Sequence, residues 1–329
     1  MNAVERVILP GAAEKSYYYG ADRLIALLPA AVWGIWLYGA RAAVIMLITP
    51  SVCCAVFAVI RRLLHKKKTG PAALTDAAVA GLVAAFSLPA AVPYYVPVVG
   101  AIVAAAVTAI PGKKLIDGGF FSAAMMRMLF PVMTARFTLP FSYISALTFA
   151  PTERAINSLR VYTPLQILKD GKVSSGTLWD QFYGLIAGNI GEISALLLIL
   201  GLVFLILRRR VRPHAPAAMI LTVALLTVFL PQGDSEAEFF MLSSLFSGGI
   251  MLFCTAAASD PAITPITDLG RTVFGVGAGV ITVLIRYYGS ASDGVYAAAV
   301  LMSLLTPLID RLTRPAAYGR VGLKGGRQK

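Results

Sequence analysis

The sequence predicts an all-α polytopic membrane protein with about ten transmembrane helices, arranged as two inverted five-helix repeats. Composition is the first observation: of 329 residues, 58% are hydrophobic and 14% charged, and the mean hydropathy is +0.76. A soluble domain is about a quarter charged and less than half apolar. The second is that the apolar residues form runs of roughly 17 to 25, long enough to cross a ~30 Å hydrocarbon layer as helices. Open sheets are excluded because lipid cannot satisfy their backbone groups.

The apolar runs set the predicted spans and the division of the chain. The candidate spans cover residues 23–39, 42–60, 74–92, 95–111, 120–135, 185–207, 215–231, 238–258, 270–285 and 294–310. The first five form one repeat with the N-terminal tail (1–135), and the last five form a second, inverted repeat (185–311). A long outward loop (136–184) separates the repeats, and a basic tail (312–329) ends the chain.

The placement of charge is the third observation. The net charge is +13, and most Lys and Arg residues follow spans two, four and six or lie in the two tails, as the positive-inside rule requires. Both termini are therefore expected in the cytoplasm and loop 136–184 outside. A nucleic-acid partner is not predicted, because the basic residues do not share one amphipathic face.

The internal repeat is visible in two pairs of segments. Residues 85–90 (AFSLPA) resemble 257–262 (AASDPA), and residues 121–126 (FSAAMM) resemble 296–301 (YAAAVL). An odd number of spans per repeat turns the second copy upside down about an axis in the membrane plane. The prolines at these span ends either break helices around a midplane pathway or only end them at the interface, and both interpretations stay open.

Three ionisable residues in or beside the spans are candidates for a site. Arg127 is the deepest cation, and it could pair with a carboxylate or bind a phosphate or an anionic cofactor edge. Asp76 and Glu192 open spans three and six, where a carboxylate caps a helix or stays hydrated. A deeper position would instead indicate function, because charge within the hydrocarbon layer is costly.

Other motifs predict packing and no soluble-type chemistry. Cys53, Cys54 and Cys254 lie in apolar runs without metal-ligand spacing and are expected to be small buried hydrophobes. The glycines of segment 274–279 (FGVGAG) follow no strand, so close helix packing is expected there and no nucleotide loop. The chain shows no Ser/His/Asp set, paired-His helix or Walker loop. No catalytic residue and no metal ligand is predicted.

Several segments together resemble the NqrB/RnfD family, most closely its Rnf D subunit. Residues 75–89 are similar to the family's Asp-containing start and Gly-Leu-Leu-Leu-Ala-Leu-x-Leu-Pro run. Residues 188–194 (GNIGEIS) resemble its Gly-x-x-Gly-Glu-x-Ser segment, and 258–265 (ASDPAITP) resemble its Ala-Thr-Asp-Pro-Val-Thr-Ser-Pro signature. Further matches follow between 270 and 310, so that the resemblance covers most of the chain from about 74 to 311.

The resemblance implies a membrane subunit of an ion-translocating ferredoxin–NAD⁺ oxidoreductase. Such a subunit lies in the cytoplasmic (inner) membrane of a bacterium or archaeon and works with the A, B, C, E and G subunits of an Rnf-type complex. It takes part in an oxidoreductase and translocase without being catalytic alone. In the family it carries FMN, which a flavin transferase joins through the phosphate to a Thr in the outward loop; whether a second flavin is bound, and whether Na⁺ or H⁺ moves, stays open.

The flavin motif of the family is Asp-x-x-Ser-Gly-Ala-Thr-Pro-Leu, and the matching stretch here is 157–165 (NSLRVYTPL). This places the expected covalent FMN on Thr163. Asn157, Arg160 and Tyr162 depart from the pattern, and the bulk of Tyr162 lies next to the acceptor hydroxyl. Arg160 and Tyr162 are expected flavin contacts, since a guanidinium pairs with phosphate and an aromatic ring stacks on isoalloxazine.

Two alternatives to the electron-transfer subunit remain from the sequence. One is a self-sufficient transporter or channel for a small solute built on the same inverted repeat. The other is a scaffold subunit of the complex without flavin. Few ionisable groups lie in mid-span, where an ion-coupled carrier would normally place them.

Overall fold

A computed structural model of the protein describes residues 10–64, 70–110, 115–142, 160–171, 176–231, 236–289, 291 and 293–313. The helices of the first part are α1 (Pro10–Tyr38), α2 (Ala40–Leu64), α3 (Pro71–Phe86), α4 (Tyr95–Thr108), α5 (Gly118–Leu129) and α6 (Pro131–Thr134). Strands β1 (Phe137–Thr138) and β2 (Arg160–Val161) and the short helices α7 (Pro164–Lys169) and α8 (Leu178–Tyr183) follow. The remaining elements are α9 (Ala195–Leu207), α10 (His214–Phe229), α11 (Ala237–Phe246), α12 (Ile250–Leu252), the π-helical segment Phe253–Ala257, α13 (Asp268–Tyr288) and α14 (Val295–Thr313).

The described part of the chain is mostly helical and carries the apolar helices of a polytopic membrane protein. Four helical stretches are long and apolar enough to cross a membrane: Tyr19–Tyr38, Ala40–Leu63, Asp268–Tyr288 and Val295–Thr313. Helix α11 and the stretch Ile250–Ala257 pass the same test together but are bent by 52° at their break. Helices α3, α4, α9 and α10 are apolar and shorter. The predicted fold class is therefore confirmed at this level.

Two predicted spans are shorter as helices than expected. Helix α3 ends at Phe86, because Pro89 and Pro93 cannot donate backbone hydrogen bonds and clash with the preceding turn. Predicted span six (185–207) is helical only from Ala195. Its first ten residues form a loop that packs against the end of α3, where Ile190 N donates to Leu88 O at 3.0 Å and Gly191 N to Phe86 O at 3.2 Å. Tertiary hydrogen bonds replace helical ones there.

Buried arginines cover the carbonyl groups at the helix breaks. The Arg41 side chain is fully buried; its Nε donates to Ala90 O at 2.8 Å and its Nη2 to Val92 O at 2.6 Å. At the end of the π-helical segment, Arg23 Nη2 donates to Ala256 O at 2.7 Å. Since lipid offers no hydrogen bonds, such partners allow irregular backbone inside a membrane protein.

Helix α13 packs closely against its neighbours, and the glycines of segment 274–279 make this possible. A Cβ on Gly279 would lie 2.9 Å from Thr222 Cβ on α10, and one on Gly277 would lie 2.6 Å from Met302 Cε on α14. The packing role predicted for these glycines is confirmed. Contacts between the two halves run mainly from α1 to α9 and from α5 to α14, and one hydrophobic core extends across both halves.

Candidate functional site

A cavity in the described part of the chain has a volume of about 540 Å³. We call it the Thr163 cavity, because Thr163 and the residues around it form one wall. The other walls come from the end of α5 with the segment to β1, from the loop 186–193, from the α11–α12 break and from the connection between α13 and α14. Its volume falls in the range of about 300–1,000 Å³ that is usual for small-molecule and cofactor sites.

Thr163 is held by local hydrogen bonds at the start of α7. It is the N-cap residue: its Oγ1 accepts from Gln166 N at 3.2 Å, and Gln166 Oε1 accepts from Thr163 N at 3.0 Å. This reciprocal capping box fixes the backbone at the helix start. Just before it, β2 pairs with β1, with Val161 opposite Phe137. The Thr163 hydroxyl is therefore well positioned, and its own hydrogen is not used in the capping bond.

The other two predicted flavin contacts differ in what the structure describes. Tyr162 is 60% exposed and lines the same cavity as Thr163. The backbone of Arg160 lies in β2, opposite Thr138, whereas its side chain is outside the described residues. Asn157, the other departure from the family motif, also lies outside them.

Lys169 fastens this wall of the cavity to the second half of the chain. Its Nζ donates to Ala291 O at 2.8 Å and also to Gly289 O, both in the connection between α13 and α14. Partial burial lowers the pKa of Lys169 from its ordinary value, and the carboxylate of Asp170 opposes that shift. Sequence reasoning missed this residue, because its partners lie about 120 positions further along the chain.

Arg127 lies in the last turn of α5 and lines the Thr163 cavity. Its Nη1 donates to Ala123 O at 3.2 Å and its Nη2 to Ser87 O at 3.1 Å. Its guanidinium stacks over the Tyr296 ring at 3.6 Å from the ring centre. The sequence left open whether Arg127 pairs with a carboxylate or binds an anionic group. In the structure its guanidinium contacts two backbone carbonyls and an aromatic ring, and its side chain also lines the Thr163 cavity.

Glu192 and Asn189 lie in the loop 186–193, which forms another wall of the cavity, and both side chains are buried. Asn189 Nδ2 donates to Glu192 Oε2 at 2.9 Å. On the facing wall Asp293 accepts from Arg286 Nη2 at 3.2 Å and from Gly249 N at 2.8 Å. The predicted Glu192 is thus buried beside the cavity, which favours a functional role over hydration at a span end. Asn189 was not singled out from the sequence as a site residue, although it belongs to the Gly-x-x-Gly-Glu-x-Ser match.

Several buried polar atoms in or beside this cavity have no hydrogen-bond partner in the described part of the chain. In the described part of the chain they include Asn189 Oδ1 and Glu192 Oε1 in its wall. Tyr296 Oη, beneath Arg127, and Arg286 Nε, beside Asp293, belong to the same set. Because buried polar groups are normally paired, each such atom calls for a ligand, a water or an ion. The size, the exposed Tyr162 ring and these atoms together fit a polar aromatic cofactor.

A second, smaller polar cluster surrounds Arg23 at the other end of α5. Arg23 Nη1 lies 3.1 Å from Asp260 Oδ2, and Nη2 lies 3.8 Å from Asp117 Oδ2. Asp117 also caps α5 by accepting from Gly119 N at 2.8 Å. Asp76 borders the adjoining space of about 10 Å³, which is about the size of one water. We call Arg23, Asp117 and Asp260 the Arg23 cluster.

The cysteines behave as the sequence predicted, since all three are free, with Cys53 and Cys254 buried and Cys54 partly buried. Among the described residues, no group of three or more His, Cys, Asp or Glu side chains could hold a metal ion.

Comparison with known proteins gives consistent matches over almost the whole chain. Residues 14–319 match the NQR2, RnfD, RnfE family. The D subunit of the Na⁺-translocating ferredoxin:NAD⁺ oxidoreductase complex of Acetobacterium woodii is 33% identical over 307 residues, which cover 92% of this chain and 90% of the relative. The D subunit of the ion-translocating oxidoreductase complex of Stutzerimonas stutzeri is 31% identical, and the match covers 90% of each chain. The D subunit of the proton-translocating ferredoxin:NAD⁺ oxidoreductase complex of Clostridium ljungdahlii is also 31% identical, with a match over 90% of this chain and 89% of its own.

Proposed function

The chain belongs to the NQR2, RnfD, RnfE family, and we propose that it is the membrane-embedded electron-transfer flavoprotein subunit of an Rnf-type complex. The complex would couple electron transfer between ferredoxin and NAD⁺ to the movement of Na⁺ or H⁺ across the cytoplasmic membrane. The matched relatives are named as D subunits of such complexes. One relative is named for Na⁺ and another for protons, so the proposal names the coupling and leaves the ion open.

The observation that carries the proposal is the position of Thr163 in the wall of a cofactor-sized cavity. FMN would be joined through its phosphate to Thr163 Oγ1, and it would supply the redox chemistry that amino-acid side chains lack. Tyr162 would stack on the ring, since its aromatic side chain is exposed at the same cavity. Arg160 would contact the phosphate, since a guanidinium pairs with phosphate. A tether suits a carrier at an exposed loop, where a free flavin could be lost.

The proposed architecture has ten spans in two inverted five-helix repeats. Helices α1–α5 would correspond to α9, α10, the broken α11–α12 pair, α13 and α14. Two features support this correspondence: the matched helices α1 and α9 contact each other, and so do α5 and α14. A two-fold axis between the halves brings equivalent elements together in this way.

Topology and partners follow from the same proposal. The basic segments would face the cytoplasm, with both termini inside and loop 136–184 outside, as the positive-inside rule requires. The partners would be the A, B, C, E and G subunits of the complex, with a flavin transferase needed for maturation.

A denaturing-gel assay tests the flavin assignment. The protein is produced with a flavin transferase, denatured and examined for in-gel flavin fluorescence, which only a covalent flavin survives. We expect fluorescence from the unmutated chain and none from Thr163→Ala, because alanine has no hydroxyl to esterify. Thr177→Ala is a matched control. Thr177 is the N-cap of α8 in an equivalent capping box, bonding Asp180 N at 3.2 Å, and it does not line the cavity.

Each result of this assay has a definite consequence. Fluorescence that persists in Thr163→Ala would place the flavin elsewhere. Loss in both variants would point to a folding defect of the loop and remove the support for Thr163. An unmutated chain without fluorescence would favour the flavin-free scaffold or the small-solute transporter.

A further inference from the structure

We propose that Glu192 and Asn189 form a hydrogen-bond-accepting site in the wall of the Thr163 cavity. The donor it takes is the ring N–H edge of the flavin attached at Thr163. This inference rests on the proposed function, and it adds the residues that bind the redox-active ring. It concerns the part of the cofactor where electrons are held, whereas Thr163 fixes only the phosphate end.

The two side chains leave two acceptor atoms unpaired. Glu192 is 3% exposed and Asn189 is 8% exposed. Asn189 Nδ2 donates to Glu192 Oε2 at 2.9 Å, so one oxygen of the carboxylate and the single donor group of the amide face each other. Glu192 Oε1 and Asn189 Oδ1 are left without a hydrogen-bond partner in the described part of the chain. Both remaining atoms are acceptors, and the ligand they call for is therefore a donor.

The surrounding backbone cannot supply that donor. Gly188 N donates to Tyr38 Oη at 3.2 Å, Ile190 N to Leu88 O at 3.0 Å and Gly191 N to Phe86 O at 3.2 Å. These bonds attach the loop to the first half of the chain and use its N–H groups elsewhere. The position of the acceptor pair is consequently fixed before any ligand binds.

Most donors of the nearby arginines have partners within the protein, with Arg286 Nε as an exception. Arg127 lines the same cavity, but its guanidinium donates to Ala123 O and Ser87 O and covers the face of Tyr296. Arg286 donates to Asp293 and to Ser244 O on the facing wall. The cavity thus offers a pair of buried acceptors next to positive charge that is held in place.

The flavin ring has the complementary chemistry. Its pyrimidine edge carries one N–H between two carbonyl groups, so a carboxylate or amide oxygen can accept from it in the ring plane. A ligand tethered at Thr163 would lie in the cavity that Glu192 and Asn189 also line. A carboxyl group hydrogen-bonded to the ring would change the relative stability of the oxidised and reduced flavin, because the reduced ring is more electron-rich.

The experiment measures the midpoint potential and the visible absorption spectrum of the covalently bound flavin in the full-length protein in detergent. Glu192→Gln keeps the shape and replaces the carboxyl group by an amide, and Asn189→Leu removes the second acceptor at similar volume. We expect both variants to keep covalent flavin and to show a shifted spectrum. For Glu192→Gln the potential should shift by about 30 mV, which is a tenfold change in the two-electron equilibrium. Asp268→Asn is the control, a half-exposed carboxylate at the far end of α13, and it should leave both readouts unchanged.

The outcomes separate this inference from the function on which it rests. If either folded variant carries flavin with the potential and spectrum of the unmutated protein, the acceptor pair binds water and the inference is overturned. If the unmutated protein carries no flavin, the proposed function fails together with the inference. Elution of each variant as a single symmetric peak in size-exclusion chromatography identifies those that are folded. Should Glu192→Gln not fold, Asn189→Leu alone decides.

Discussion

Replacing Arg23 by Met should destabilise the protein strongly, because it removes the positive charge from the buried Arg23 cluster. Arg23 is 3% exposed and faces two carboxylates, Asp260 at 3.1 Å and Asp117 at 3.8 Å. It also donates to Ala256 O at the end of the π-helical segment. Methionine has a similar length and fills much of the space, but it offers neither charge nor donors.

The expected size follows from the burial of the cluster. Removing one partner of a buried ion pair typically costs about 3–5 kcal/mol, since the remaining charge stays out of water. An exposed pair contributes only about 0–1 kcal/mol. Arg212 provides the comparison within the same chain: it pairs with Asp268 at 2.5 Å, but the two side chains are 58% and 47% exposed. With about 2–4 °C per kcal/mol for a large domain, Arg23→Met should lower the unfolding midpoint by at least about 6 °C.

The assay is thermal unfolding of the purified protein in one detergent, followed by intrinsic fluorescence. Arg212→Met should melt within about 4 °C of the unmutated chain, given the small value of exposed pairs. The double variant Arg23→Met/Asp260→Asn should be less destabilised than Arg23→Met alone, because the stranded carboxylate is neutralised. Equal midpoints for Arg23→Met and the unmutated chain would refute the reasoning.

Two further predictions concern the walls of the Thr163 cavity. Gly191→Ala should lower the free energy of unfolding by about 1–3 kcal/mol through overpacking, since the added Cβ would overlap the buried Phe86 ring. Gly176→Ala is the control: its Cβ would meet its nearest neighbour at 3.8 Å, so thermal unfolding should be unchanged. Similar midpoints for both variants would count against the tight packing. Lys169→Met should speed limited proteolysis of loop 136–184 several-fold, because the Lys169 ammonium group donates to two carbonyls of the α13–α14 connection. Equal cleavage of Lys169→Met, Lys169→Arg and the unmutated chain would show that Lys169 does not hold the loop in place.

Hydropathy was sufficient to find the membrane helices but not the places where they break. Every predicted span contains a helix in the structure. Predicted span six shows the limit of hydropathy. Residues 185–194 are apolar enough to be predicted as membrane-embedded, but they are not helical. Hydropathy reports burial, and this loop is buried. Its backbone conformation depends on Phe86 and Leu88, about 100 residues earlier, whose carbonyls accept its N–H groups.

The site could be predicted to the extent that it resembles a family motif. Thr163 and Tyr162 were identified through that motif, and the structure places both at one cavity. Glu192 was noticed as a carboxylate at a span end, with its role left open between capping and function. Lys169 acquires its role only from partners that folding brings close, and no pattern along the chain predicts such contacts. For Asn189, the available signal was its place in the Gly-x-x-Gly-Glu-x-Ser match, three residues before its partner Glu192.

Two places in the described structure combine an aspartate at a helix start with a buried arginine, but they border spaces of different size. Asp117 opens α5, and Asp293 lies just before α14, where it accepts from Val295 N at 3.3 Å. Each aspartate also faces a buried arginine, Arg23 for the first and Arg286 for the second. Ten residues of helix, about 15 Å, separate Asp117 from Arg127, which lines the Thr163 cavity. The space beside Arg23 is about 10 Å³, whereas the Thr163 cavity is about 540 Å³. Residues of the segment 162–170 form one wall of the larger space. The proposed flavin site would thus combine this segment with helices that hold the buried charged groups in place.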